Sequence, residues 1–454
     1  MSERPEAVVV GGGVSGVAAA WYLRDAGWRV TIVEAANRLG GRAAAVRMGE
    51  REVTLGGKNI GRRYDRVRKF VEAHGPADYE PFGINSSRVT PRGLRTVDSS
   101  RRLHSLLGLV RENSVVDVVR LARWARHVSR EPADRWADSP FFERVAGSSG
   151  DAVLADAIGP RALATLVRPL TVRMNGAEPD EALLSAFGSN LGTLLDTFDQ
   201  LRDGFGPVLD RFASTVECRL SSEVAGTAAR GGRRVVEVDG PSGRSEIEAD
   251  AVVVAVPAFA AAPLVRDESP SLGRALDTVR YFPARVVVAE YDRPVFTPEV
   301  RAIVFGADSA LSNAGAYGVE DLGTVRYTFS GRRARGLLDR DASELLGLAE
   351  RTLGAHMPVS AARRVRYATA LWPRAYCAFG PGHHALAHRL SDEVAPGLRM
   401  CGDYVSGASI EACFRSAERA VAGLGRAGAG RASGSTGRPL QADRPRTDAV
   451  LSAP

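Results

Sequence analysis

The chain has 454 residues, enough for two sizeable lobes, with 44% hydrophobic and 25% charged residues, a balance that excludes fibrous and disordered classes. No run supplies the roughly 20 unbroken apolar residues of a membrane span, and Glu3, Arg4, Pro5 and Glu6 do not read as a secretory leader, so a cytoplasmic location is expected. The net charge is +7, but the arginines are dispersed among the acids and the lysines are Lys58 and Lys69 alone; no nucleic-acid footprint is visible, and the surplus favours an acidic substrate or partner.

Residues 6–10 read as a buried strand, 14–26 as a helix and 28–34 (WRVTIVE) as a second strand, a βαβ start. Gly11, Gly13 and Gly16 place G-x-G-x-x-G at the first strand-to-helix junction. The first glycine permits the tight turn, the second lets backbone approach a pyrophosphate, and the third lets the helix pack on the sheet. Val14 and Ser15 then open a helix whose free N–H groups and dipole suit phosphate. Glu34 ends the second strand, where its carboxylate accepts ribose hydroxyls and repels a 2′-phosphate, against NADP. Just beyond it, EAANRLGGRAA (34–44) adds Gly40, Gly41 and the cation Arg42, extending contact towards a cofactor larger than NAD.

Further along, 86–204 reads as mostly helical, with NSVVDVVRLARWARHV (113–128) the clearest helix. Its polar stripe Asn113, Asp117, Arg120, Arg123 and His127 suggests an amphipathic cover for a core, with membrane or carrier-protein contact as the alternative. ADAVVVAVP (249–257) and LRMCGDYV (398–405) read as short strands ending in turns. Between them ARVVVAEY and TVRYTFS read as strands and ASELLGLAERTLG as a helix. Cys218, Cys377, Cys401 and Cys413 have neither CxxC nor metal-ligand spacing, so reduced thiols and no metal are expected.

The expected fold class is α/β: a Rossmann-like cofactor domain built from discontinuous segments, with an inserted α+β substrate domain. The cofactor domain is expected at 1–85, 204–265 and 375–424, and the substrate domain at 86–203 and 266–374. Residues 425–454 are too poor in apolar groups to fold and read as a disordered tail.

These motifs resemble the flavin-containing amine oxidase superfamily, which includes protoporphyrinogen oxidases and phytoene-type desaturases. Arg38-Leu39-Gly40-Gly41-Arg42 is similar to its R-x-G-G-R element. VTLGGKNIG (53–61), with Gly57, Lys58 and Asn59, looks like the strand that passes the flavin. Glu223–Val224 resembles the strand whose backbone meets adenine, and Gly402–Asp403 the pair near the ribityl chain and pyrophosphate. SIEACFRSAERA resembles the helix whose N-terminus, here Ser409–Ile410, faces the flavin pyrimidine and stabilises its negative charge when reduced. The resemblance implies FAD, held noncovalently because no Cys or His is identified as an anchor. It is loose across the substrate lobe.

On that resemblance, Arg285 stands at or beside the place where amine oxidases carry a lysine, a departure that weakens the oxidase reading. Lys58 is suited to stabilise a reduced ring or to bind a substrate acid. Trp372 and Tyr376 are expected on a pocket wall, with core packing as the competing reading; His383 and His384 read as loop residues without a catalytic duty. The implied activity is removal of two electrons, by hydride transfer to flavin, from a fairly large organic small-molecule substrate, as in biosynthesis of a specialised metabolite. Amine or amino-acid oxidation to imine and peroxide, a non-catalytic FAD-binding scaffold and an NAD-only dehydrogenase stay open. Electron acceptor and oligomeric state are not specified.

Overall fold

The computed structural model describes residues 4–82, 86–90, 93–97, 112–147 and 151–424; the tail expected at 425–454 lies outside the described residues. Apolar runs from distant parts of the chain meet in one five-stranded parallel sheet, in the order Glu217–Arg219, Arg29–Val33, Glu6–Val10, Ala251–Val254 and Leu398–Met400. Val8 stands opposite both Thr31 and Val252, and Val253 opposite Arg399. Both faces are covered, as parallel strands require. Ala7 and Val9 pack with Ala18 and Ala19 of helix Val14–Asp25 and with Phe414 and Ala417 of helix Ile410–Ala422; Val8 and Val10 pack on the other face with Val252, Val254 and Ala258.

A second, seven-stranded sheet runs Arg364–Ala378, Arg280–Tyr291, Thr324–Phe329, Leu311–Ala316, Ala302–Val304, Ser86–Thr90 and Gly93–Val97. Side chains alternate across it. Val287, Tyr327 and Phe329 pack under helix Ala342–Gly354, with Leu345, Leu346 and Ala349. Ala284, Val286, Arg326 and Thr328 face the other way, into a cavity.

Four expectations need correction. The 86–204 stretch is not mainly helical at its ends: Ser86–Thr90 and Gly93–Val97 complete the large sheet, and Phe198–Leu201 pairs with Ile60–Gly61 and Tyr79–Phe82. The strand at 398 stops at Met400, and Asp403–Ser406 is a helical turn. VTLGGKNIG is strand only to Thr54 and again at Ile60–Gly61. Between these, strand partners are replaced by Arg42, whose carbonyl accepts from Gly57 N–H at 3.1 Å, and by Arg326, which donates to the Thr54 and Gly56 carbonyls at 2.6 and 2.9 Å. Finally, helix Val115–Arg130 covers a core as expected, through Trp124 and Val128, but part of its polar stripe also turns inward: Asn113, just before the helix, accepts from Thr165, and His127 meets Asp134 at 2.7 Å. Val115, Val116 and Val119 are left on the surface.

The expected boundary at 374/375 falls inside strand Arg364–Ala378, and Phe198–Leu201 pairs with the first stretch rather than with the inserted lobe. No helix of the described residues is long and apolar enough to cross a membrane.

Candidate functional site

The glycine turn carries three different requirements. Gly11 has φ +96°, and a Cβ there would stand 2.7 Å from Val256 Cγ1. At Gly16 a Cβ would sit 1.8 Å from the Gly11 carbonyl oxygen, so only glycine lets the helix lie this close to the turn. Gly13 differs: a Cβ would meet nothing within 4 Å. The protein thus leaves open space beside the backbone at the start of helix Val14–Asp25, as an approaching phosphate needs. The Gly40–Gly41 loop folds onto this turn through Gly40 N–H to the Gly12 carbonyl at 2.8 Å.

Glu34 accepts from Gly12 N–H at 2.5 Å and from Ala36 N–H at 2.8 Å. Each carboxylate oxygen keeps a further acceptor site for a ribose hydroxyl. Ser221 and Ser222 N–H donate to the Ala36 and Glu34 carbonyls, which brings half-buried Val224 beside this acid. Arg38 is exposed, while Ser15 is buried and half-buried Val14 packs against the core.

Arg42 links this end to the last segment. It donates to Asp403 at 2.8 Å and to the Ala375 carbonyl at 3.0 Å, and Tyr281 donates to the other Asp403 oxygen at 2.9 Å. Asp403 is 3% exposed. Burial opposes the Arg42 charge, but the adjacent Asp403 carboxylate outweighs it and raises the guanidinium's proton affinity. Gly402 N–H is held by Ser416 Oγ at 3.1 Å.

Ser409 caps helix Ile410–Ala422 by accepting from Ala412 N–H at 3.1 Å. Two residues on, Glu411 reaches across to cap another helix, Asp65–Ala73, accepting from Arg66 and Val67 N–H at 3.1 and 3.0 Å. Sequence reasoning missed this. The available signal was Tyr64, a residue without a capping oxygen suited to its own helix, which obliges an outside acceptor.

A cavity of about 1340 Å3 opens between the N-terminus of helix Ile410–Ala422 and the inner face of the large sheet. Arg42, Gly57, Lys58, Asn59, Ser409, Ile410, Trp372 and Tyr376 all line it, from stretches more than 300 residues apart. Asn59 Oδ1 is buried there without a hydrogen-bond partner among the described residues. Trp372 Nε1 donates to the Leu55 carbonyl at 3.0 Å, and burial raises the Tyr376 hydroxyl pKa. The open space at Gly13, the acceptor at Glu34, the uncommitted Asn59 oxygen and the helix N-terminus at Ser409 fit an extended dinucleotide whose far end enters this cavity.

Arg285 is not part of the site. It lies between cavity-lining Ala284 and Val286, so the strand's two-residue period turns it away, onto the Leu338 and Arg340 carbonyls at 2.9 and 3.0 Å. His383 is also corrected: with His384 it opens helix His383–Asp392, and it is buried, with Nε2 2.6 Å from the Tyr404 carbonyl. Among the described residues no cluster of His, Cys, Asp or Glu is suited to hold a metal, and the four cysteines are free thiols.

The cavity holds cations that sequence reasoning missed: Arg173, Arg301 and Arg326. Arg301 donates to the Gly318 carbonyl at 3.0 Å and has a buried Nε without a partner among the described residues. Neither Arg301 nor Arg326 makes an ion pair among the described residues, and burial lowers the proton affinity of all three. In an arginine-rich chain nothing local marked them: the register Ala302–Gly315–Arg326 puts Arg326 on the cavity face, Arg301 stands just before strand Ala302–Val304, and Arg173 comes from helix Arg168–Asn175.

The chain matches the family model described as flavin containing amine oxidoreductase over residues 14–424. A coproporphyrinogen III oxidase of Mycobacterium tuberculosis is 26% identical over 449 residues, covering 91% of this chain and 96% of that protein. Among solved structures, a protoporphyrinogen oxidase described as putative, from Exiguobacterium, superposes with TM-score 0.68 at 19% identity, covering 93% of this chain and 99% of that one. A variant of putrescine oxidase superposes with TM-score 0.75 at 16% identity, covering 92% and 98%.

Proposed function

The chain belongs to the flavin-containing amine oxidoreductase family and is an FAD-dependent oxidoreductase, and we propose that it oxidises a fairly large, carboxylate-bearing organic substrate, removing a hydride and a proton so that a single bond becomes double. FAD supplies the two-electron acceptor when bound. On this reading the Gly13 backbone and the Val14–Ser15 helix start hold the pyrophosphate, Glu34 the ribose and Val224 the adenine. Arg42 and Asp403 fix the chain around the middle of the cofactor, and the Ser409–Ile410 N–H groups face its ring. Asn59 meets the far end of the cofactor, and Trp372 and Tyr376 orient substrate.

The observation that carries the substrate class is the charge on the cavity wall. Arg301 and Arg326 line it without ion-pair partners among the described residues, while the acids of its lining, Asp65, Asp196 and Glu411, come from other segments of the chain. A protonated amine about 6 Å from one such guanidinium is repelled by about 3 kcal/mol at an effective dielectric of about 20, and a carboxylate is attracted by as much before desolvation. That difference outweighs the general likeness of fold to an amine oxidase. The cavity, of about 1340 Å3, takes the far end of the cofactor on this reading and leaves room for a substrate beside it. The relative matched along most of its length acts, by its name, on coproporphyrinogen III, a polycarboxylic acid. We assign the protein to a reducing, cytoplasmic setting, supported by its four free thiols, and to noncovalent FAD.

The test mixes FAD-loaded protein anaerobically with coproporphyrinogen III, its methyl ester or putrescine, and follows loss of the flavin's visible absorption. The expected result is bleaching by the acid about ten-fold faster than by the ester, and none by putrescine. Bleaching by putrescine and not by the acid overturns the reading.

A further inference from the structure

Lys58 is held more firmly than a loop position requires. Its Nζ donates to Gln200 Oε1 at 2.6 Å and to the Tyr317 carbonyl at 2.5 Å, and lies 4.0 Å from the centre of the Tyr317 ring. Behind it, Gln200 Nε2 donates to Glu80 Oε2 at 2.8 Å, and Glu80 Oε1 accepts from Val319 N–H at 2.7 Å. Gln200 and Glu80 are 4% and 9% exposed. The amide is fixed at both ends, because an ammonium only donates and a carboxylate only accepts. A second cavity, of about 10 Å3, is lined by the polar groups of Thr54, Lys58, Gln200 and Tyr317 and by Leu201, Gly204 and Phe205. It is polar and just large enough for one water. Lys58 therefore stands between the large cavity and a buried polar chain.

We propose that Gln200 and Glu80 are positioning residues that hold Lys58 as the proton acceptor of the large cavity, the Glu80 carboxylate supporting through the Gln200 amide the ammonium that the reaction leaves. This rests on the oxidation proposed above. The substrate would lose a hydride to bound FAD and a proton to Lys58 Nζ, its single bond becoming double and the amine ammonium; dioxygen would then take the two electrons with two protons, one of them given back by the Lys58 ammonium, to leave as hydrogen peroxide with the amine restored. The charged surroundings suit that cycle. Burial, then Arg326, lower the Lys58 pKa well below the ordinary lysine range; Glu80 and Asp321 oppose them, and Arg51 adds to the lowering. Burial thus favours the neutral amine at Lys58, and the carboxylate keeps its ammonium from being an isolated buried charge.

The chain's two lysines make a direct test possible. Lysine carrying 13C at Cε gives one NMR signal for Lys58 and one for exposed Lys69, an internal reference. In FAD-loaded protein the Lys58 signal is expected to titrate below that of Lys69. Glu80→Gln is expected to lower the Lys58 midpoint by about one pH unit and to move the acid limb of kcat/KM with it; Gln200→Glu, which brings the carboxylate next to the amine, is expected to raise it. Two lysines titrating together, or a Lys58 midpoint indifferent to both variants, overturns the proposal. Because the NMR readout needs no substrate, an acid that is not oxidised counts against the function, whereas an oxidised acid with an unmoved Lys58 counts against the positioning role alone.

Discussion

The nucleotide end and the cavity of this protein are built by opposite means. At the proposed nucleotide end, one stretch from Gly11 to Glu34 sets the geometry, with Gly12 N–H on the Glu34 carboxylate and glycines where a Cβ would collide, as at Gly16, or would meet only open space, as at Gly13. At the cavity, side chains do the work, and they arrive from loop 55–59, from strands in the 300s and from the helix at 410. A backbone site leaves a local signature in sequence. A side-chain site assembled by strand register leaves almost none.

The sharpest way to break this contrast is inside the glycine turn. Gly16→Ala, with its Cβ 1.8 Å from a carbonyl oxygen, is expected to abolish folded, flavin-loaded protein. Gly13→Ala, which meets no protein atom within 4 Å, is expected to leave apoprotein melting unchanged while FAD affinity falls about 100-fold. Melting curves and FAD titration of both variants check this; equal damage to folding would mean that the turn is only structural.

Next in size is the tie between the two regions. Asp403→Asn leaves the Arg42 guanidinium without its buried acid, and a loss of about 3 kcal/mol is expected in denaturant unfolding. Within the cavity, Arg301→Met is expected to raise KM for a carboxylate substrate about ten-fold, for a lost charged contact of about 1.5 kcal/mol, with flavin content unchanged.

A smaller effect follows from Lys58. Its folded pKa is depressed, so between that value and the ordinary lysine range the unfolded chain binds a proton that the folded chain refuses. Stability then rises with pH across this window and falls as pH drops through it. Lys58→Met is expected to flatten that slope, read as melting temperature against pH. Smallest of all, Arg285→Met is expected to leave KM unchanged, since its guanidinium serves the Leu338 and Arg340 carbonyls on the far face.

The same contrast explains what the sequence revealed. The βαβ start, the acid at Glu34 and the helix after Gly402–Asp403 were legible because each is a local pattern with a backbone reason. Strand Ser86–Thr90 was not, since its partner at Ala302–Val304 lies about two hundred residues on, and its hairpin neighbour Gly93–Val97 joins the large sheet only through it. Arg285 was misjudged by one place in a two-residue alternation, the smallest error that sends a side chain to the opposite face. Tyr281, which holds Asp403, and Glu411, which caps a helix not its own, owe their roles to tertiary contacts alone.

The most direct measurement is a crystal structure of the FAD-loaded protein with coproporphyrin III, the oxidised form of the relative's named substrate. The account predicts the macrocycle inside the large cavity with carboxylates on Arg301 or Arg326 while the dinucleotide runs from Glu34 past Gly13. A macrocycle bound outside that cavity, or carboxylates turned away from both arginines, would contradict it.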